Sequence, residues 1–293
     1  MIDYISTRGQ APRLSFADVL LTGLATDGGL YVPSKWPSNH TPPADQPYAE
    51  FAADVMAPFV EGSFTREELA ALTNAAYSTF STDEVVPFVE LHDDPEPQNG
   101  IVLCELFWGP TLAFKDVAMQ LLGRLFDAEL GRRGERVTIV GATSGDTGSA
   151  AIEAFRDRDN VDIVILHPNG RTSDVQRKQM TTVDAANVHN IALNGTFDDC
   201  QDIVKTLFAD ATFRAEVKLA AVNSINWARV MAQVVYYHWA ASKIGRGDQI
   251  SVTVPTGNFG NVFAGRVAKR MGCLLYTSPS PRDATLSRMP SSA

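Results

Sequence analysis

The sequence predicts an α/β protein organised around parallel strands, and three observations carry that reading. From Ile101 onward, short apolar runs rich in β-branched residues alternate with longer stretches of helical periodicity, the pattern of strand, crossover helix and strand. Two glycine-rich turns, at residues 141–148 and 255–261, each stand between an expected strand and an expected helix, where α/β folds place their ligands. The chain has 293 residues, 45% of them hydrophobic, enough to bury two packed domains or one large α/β unit with an appendage.

Taken in order, residues 1–95 read as an N-terminal domain of mixed elements. Ser15 is placed to cap a short helix with Asp18 at its third position. The run DGGLYVP at residues 27–33 reads as a turn feeding a short strand, and a proline-rich loop follows at 37–47. Helical stretches are expected over 48–60 and 65–80, the second opened by the capping box Thr65-x-x-Glu68. The loop DDPEPQNG at 93–100 is the expected boundary. Beyond it, 96–272 read as the main α/β domain. Buried strands are expected at 137–141, 161–166 and 250–255, and helices at 116–130, 147–158, 197–209, 227–244 and 261–271. Residues 273–293 are Ser/Pro-rich and without period, so a disordered, non-native tail is expected there. The series breaks off where another strand is due, which makes the α/β domain read as incomplete at its C-terminus.

A net charge of −9 argues against nucleic acid or an anionic membrane as a partner, and favours a small molecule. No protein partner is evident. Cys104, Cys200 and Cys273 are far apart with no C-x-x-C pair, so neither a disulfide framework nor a zinc site is expected. The five histidines form no metal-ligand spacing, and no metal is expected. With no stretch approaching a membrane span and no basic leader followed by an apolar core, a cytoplasmic location is expected.

The residue that concentrates the chemistry is Lys115, in the run GPTLAFKD at 109–116, immediately before a helix. A lysine there faces the positive end of the helix dipole, at a cost of up to about 1 kcal/mol. Apolar neighbours on both sides, Phe114 and Val117 among them, add burial, and together these effects are expected to lower the ammonium pKa. A deprotonated lysine is a nucleophile toward aldehydes, as a Schiff base with pyridoxal phosphate requires. The turn GATSGDTG at 141–148 offers hydroxyls and helix-N-terminal amides to an anionic group such as a carboxylate. It lacks the Gly-Lys-Ser/Thr of a nucleotide P-loop. The turn PTGNFGN at 255–261 has two glycines that let a phosphate approach the backbone.

With these motifs in hand, the chain resembles the threonine synthases, pyridoxal-phosphate enzymes of the tryptophan synthase β-like fold, over residues 1–272. YISTRG at 4–9 and DGGLYVP at 27–33 are similar to that family's N-terminal domain, Phe114-Lys115-Asp116 to its Schiff-base lysine motif, and NSINWAR at 223–229 to a stretch typical of it. The resemblance implies two parallel-sheet α/β lobes plus the N-terminal extension, the second lobe incomplete. It implies pyridoxal 5'-phosphate as cofactor, with Lys115 as catalytic lysine and Gly257, Asn258, Phe259, Gly260 and Asn261 around the cofactor phosphate. Thr143, Ser144, Gly145 and Thr147 are implied at the substrate carboxylate, and Asn226 with Arg229 is one candidate pair for the substrate phosphate, the segment 170–178 another. Asp146 stands where related lyases usually carry Asn, and is assigned no role beyond the loop. The implied reaction is that of a carbon–oxygen lyase in threonine biosynthesis, converting O-phospho-L-homoserine and water into L-threonine and phosphate. A threonine dehydratase of the same fold, or an inactive fragment, are the alternatives. Trp227, Tyr236, Tyr237 and Trp239 read as core residues of one helix.

Overall fold

The computed structural model describes residues 2–276 except 39–40, 44, 92–100, 221–225, 246 and 256–258. The expected boundary loop at 93–100 and the tail from 277 onward therefore lie outside the described residues, as do His40 and His92.

The N-terminal region begins with β1 (Tyr4–Ser6), α1 (Phe16–Thr22) and β2 (Tyr31–Pro33), β1 and β2 pairing antiparallel. Ser15 caps α1 as its position predicts, accepting from the Asp18 amide. Two helices follow, α2 (Tyr48–Val60) and α3 (Arg66–Tyr77), and the Thr65–Glu68 capping box is formed in both directions at the start of α3. This region does not close on itself. Trp227, fully buried, packs against Tyr4, Trp36 and Phe59, so one continuous hydrophobic core runs from Tyr4 to Leu275.

The strand at 101 does not start the parallel series. β4 (Ile101–Cys104) forms an antiparallel pair with β3 (Phe88–Leu91), whose partnership the composition of either run leaves open. The parallel series begins later, with α4 (Asp116–Arg133), β5 (Val137–Ala142), α5 (Asp146–Phe155), β6 (Val161–Pro168), α6 (Asp174–Thr181), β7 (Val188–Leu193), α7 (Phe197–Ala209), α8 (Ala211–Glu216) and β8 (Leu219–Ala220). These strands form one parallel sheet in the order β7-β6-β5-β8. The chain moves outward from β5 through β6 to β7 and then returns to the other side of β5. That reversal falls between β5 and β8, and open parallel sheets take their ligands in a crevice beyond the C-terminal ends of the strands at such a point.

α9 (Trp227–Lys243) is buried along most of its length and α10 (Gly260–Arg270) packs against it. The contact is close enough that a side chain at Gly265 would meet the Tyr237 ring at 2.9 Å. The run at 250–255, expected as a buried strand, is not one. Ile250 makes a single parallel bridge to Leu275, Val252 is 45% exposed, and the residues between have no ladder on either side. Among the described residues there is accordingly one parallel sheet, with no second.

Candidate active site

Lys115 is positioned by a loop that Asp116 organises. Asp116 is fully buried at the start of α4, and its two carboxylate oxygens accept from the Thr111 amide (2.8 Å) and the Thr111 hydroxyl (2.7 Å). Burial pushes the Asp116 carboxyl up, and those hydrogen bonds oppose the shift. A side chain at Gly109 would collide with Asp116, which is why the loop opens on glycine. From α6, Gln179 donates to the Thr111 carbonyl at 3.0 Å. Leu112, at the loop's crest, has a φ of +59° and is 68% exposed, an uncommon left-handed conformation for a leucine and one that concentrates at functional loops.

The Lys115 amine lies against Asp146, with Nζ donating to a carboxylate oxygen at 2.5 Å. It also stands 4.8 Å from the centroid of the Phe114 ring. The sequence points to an amine in apolar surroundings; here a carboxylate faces it as well, within salt-bridge distance. Asp146, assigned no role from sequence, is the first residue of α5, where the helix dipole favours a negative charge. The signal available in the sequence was the position itself, an acid at the start of a helix after a glycine turn.

The contact puts the lysine and the 141–148 turn in one site, for structural reasons. That turn leaves the end of β5 and is folded tightly by Thr143, which is 3% exposed. The Thr143 hydroxyl accepts from the Gly145 amide (3.1 Å) and the Gly148 amide (3.0 Å) and lies 3.1 Å from the Gly145 carbonyl, to which it donates. Thr143, expected at the substrate, shapes the loop through these bonds. Ser144 is exposed and Thr147 half-buried. A Cβ at Gly148 would run into Thr143 and Met180, and one at Gly145 would displace the end of the Gln176 side chain.

Arg229, on the first turn of α9 after β8, comes near the same place. It is 3% exposed, and burial pushes its guanidinium down to about 10, an effect that the nearby Asp146 carboxylate opposes. Asn226, paired with Arg229 in the sequence reading, is the N-cap of the same helix. Its oxygen accepts from the Ala228 amide at 2.9 Å to cap α9, and its amide donates to the Leu20 carbonyl at 2.9 Å. With no exposed surface, it ties the start of α9 to the N-terminal region.

The 255–261 turn is described in part. Gly257 and Asn258 lie outside the described residues. Phe259 is 66% exposed at the start of α10, followed by Gly260. The Asn261 side-chain oxygen accepts from Tyr236 (2.6 Å) and Tyr237 (2.8 Å), so α9 holds the N-terminus of α10 in place. Trp227 and Trp239 are core residues, as their spacing predicts. The segment 170–178 contributes α6, whose Arg177 pairs with Asp174 on its own surface. The three cysteines are free, and burial pushes the Cys104 thiol up to about 12. Among the described residues, no group of His, Cys, Asp and Glu could hold a metal, and no helix is long and apolar enough to cross a membrane.

Residues 3–77 match the family model "Threonine synthase N terminus", and residues 85–272 match "Pyridoxal-phosphate dependent enzyme". The threonine synthase of Pseudomonas aeruginosa is 56% identical over 274 residues, covering 92% of this chain and 57% of that protein. That of Schizosaccharomyces pombe is 45% identical over 289 residues, covering 92% of this chain and 55% of that protein. A crystal structure of PLP-bound threonine synthase from Brucella melitensis superposes with a TM-score of 0.87 at 52% identity, covering 94% of this chain and 59% of that one. The chain thus spans a little over half the length of these relatives. With a crevice at the sheet's reversal, a lysine and a glycine turn meeting in it, and these matches along nearly all of its described length, the chain belongs to the pyridoxal-phosphate-dependent enzyme family, in the threonine synthase branch.

Proposed function

We propose that the chain belongs to an enzyme converting O-phospho-L-homoserine and water into L-threonine and phosphate with pyridoxal phosphate as cofactor. The observation that carries this reading is the meeting of Lys115 with the 141–148 turn at the sheet's reversal, which supports a lysine amine working beside a turn whose amides suit a carboxylate. The donor set fits the cofactor. Lys115 offers the one kind of side chain that bonds an aldehyde reversibly, and the amides at the N-terminus of α10 suit its phosphate. Gly257, Asn258, Phe259, Gly260 and Asn261 would hold that phosphate.

When bound, pyridoxal phosphate supplies the electron sink that makes substrate protons at Cα and Cβ removable. Lys115 anchors the cofactor and serves as acid and base at those two carbons. Ser144, Gly145 and Thr147 receive the substrate carboxylate at the N-terminus of α5, within the shape that Thr143 imposes. Arg229 provides the charge that a leaving phosphate needs, and Asn226 contributes by fixing the helix that carries Arg229. Residues 1–95 serve as the N-terminal domain that packs on α9, and 96–272 as the catalytic α/β unit. We place the work in the cytoplasm, on a small-molecule substrate, in keeping with the charge of −9.

The test incubates purified chain with pyridoxal phosphate and O-phospho-L-homoserine and follows products. Threonine and inorganic phosphate in equal amounts are expected. Release of 2-oxobutanoate from threonine without phosphate chemistry would select a dehydratase, and no turnover would mark an inactive portion of the enzyme.

A further inference from the structure

We propose that Asp146 is the shared counter-ion of Lys115 and Arg229, and that its carboxylate controls when the Lys115 amine is free to react. The proposal rests on the reading of Lys115 as the cofactor-bearing residue and adds a positioning residue to it.

Two basic side chains, both sheltered from solvent, come near one carboxylate here. The Lys115 side chain is 17% exposed at the N-terminus of α4, on the unfavourable end of the helix dipole, and Arg229 is 3% exposed. The other carboxylate of the neighbourhood, Asp116, has its oxygens engaged by Thr111. Asp146 alone among these groups reaches Lys115 directly, at 2.5 Å, while acting through space on Arg229 and on Asp116. Its side chain is 45% exposed, so it connects a sheltered amine to bulk water.

An ammonium held in an ion pair has no lone pair to offer. For Lys115 to bond a carbonyl carbon, one proton leaves Nζ, passing to the Asp146 carboxylate and on to solvent. The freed lone pair forms the new C–N bond, and the carbonyl oxygen departs as water, taking the two protons that Nζ gives up as C=N replaces C=O. Asp146 therefore sets both the resting state of the lysine and the exit route of its proton.

Lys115 can be interrogated without cofactor. Formaldehyde with cyanoborohydride methylates neutral amines, and peptide mass spectrometry gives the rate at Lys115 relative to the exposed Lys178 in the same chain. Removing the counter-ion in Asp146→Asn or Asp146→Ser is expected to speed Lys115 by about tenfold at neutral pH, the low end of what one close opposite charge is worth. Asp146→Glu is expected to restore slow labelling, and a cooperative thermal transition in each variant excludes exposure by unfolding. Wild-type rates in both removal variants, or Asp146→Glu behaving like Asp146→Asn, would overturn the proposal. Pyridoxal phosphate followed by borohydride is run on the same proteins. If no variant is tagged at Lys115 while the methylation difference persists, the cofactor reading fails and the counter-ion role stands.

Discussion

The 141–148 turn and the 255–261 turn follow similar apolar runs on unlike foundations. On the Lys115 side, β5 is hydrogen-bonded to β6 on one edge and β8 on the other, and the turn that follows is closed internally by Thr143. On the α10 side, the run at 250–255 has strand-forming residues too, yet it has one bridge, through Ile250, and leaves Val252 exposed. β-Branched composition makes a strand only where neighbours supply hydrogen bonds and cover. The first side is therefore preorganised by a sheet. The second takes its position from the two tyrosines of α9 that grip Asn261.

This contrast can be broken at graded points by denaturant unfolding of single variants. Trp227→Ala should cost most, about 3–5 kcal/mol, because the indole fills the junction of Tyr4, Trp36 and Phe59 beneath the start of α9; a loss under about 1 kcal/mol would mean that the N-terminal region does not support this side. Thr143→Val keeps the shape but strands the Gly145 and Gly148 amides, for an expected loss of about 1–3 kcal/mol. Tyr237→Phe removes the hydroxyl that bonds Asn261 twice and should cost about 0.5–1.5 kcal/mol, with faster amide exchange at the start of α10 as the local readout. Val252→Thr, on the unladdered run, should stay within about 0.5 kcal/mol of wild type. A larger loss there would show that the run is covered after all.

Local signals were legible where the chemistry is local. Ser15 and the Thr65–Glu68 box are formed as read, because a cap is decided by residues three apart. The helix after Lys115 begins at Asp116, as its apolar spacing requires. Pairing was not legible in the same way. The Ile101 run is β-rich in any context, and only the fold reveals that its partner is the Phe88 run, antiparallel. The site divides along the same line. Lys115 and the two turns stood out by residue type and order, whereas the Asp146 contact depends on how α4 and α5 start at a common crevice, over a separation of 31 positions. Thr143 and Asn226 have the polar groups a ligand would use, and nothing in their own neighbourhood discloses that backbone amides and the Leu20 carbonyl use them first.

The identity of Lys115 as the residue that carries the cofactor is tested most directly by adding pyridoxal phosphate to the purified chain, reducing with borohydride and mapping the tagged peptide. The tag is expected on Lys115, together with an absorbance band that reduction abolishes and that Lys115→Ala lacks. An unchanged band in Lys115→Ala, or a tag on a different lysine, would contradict it.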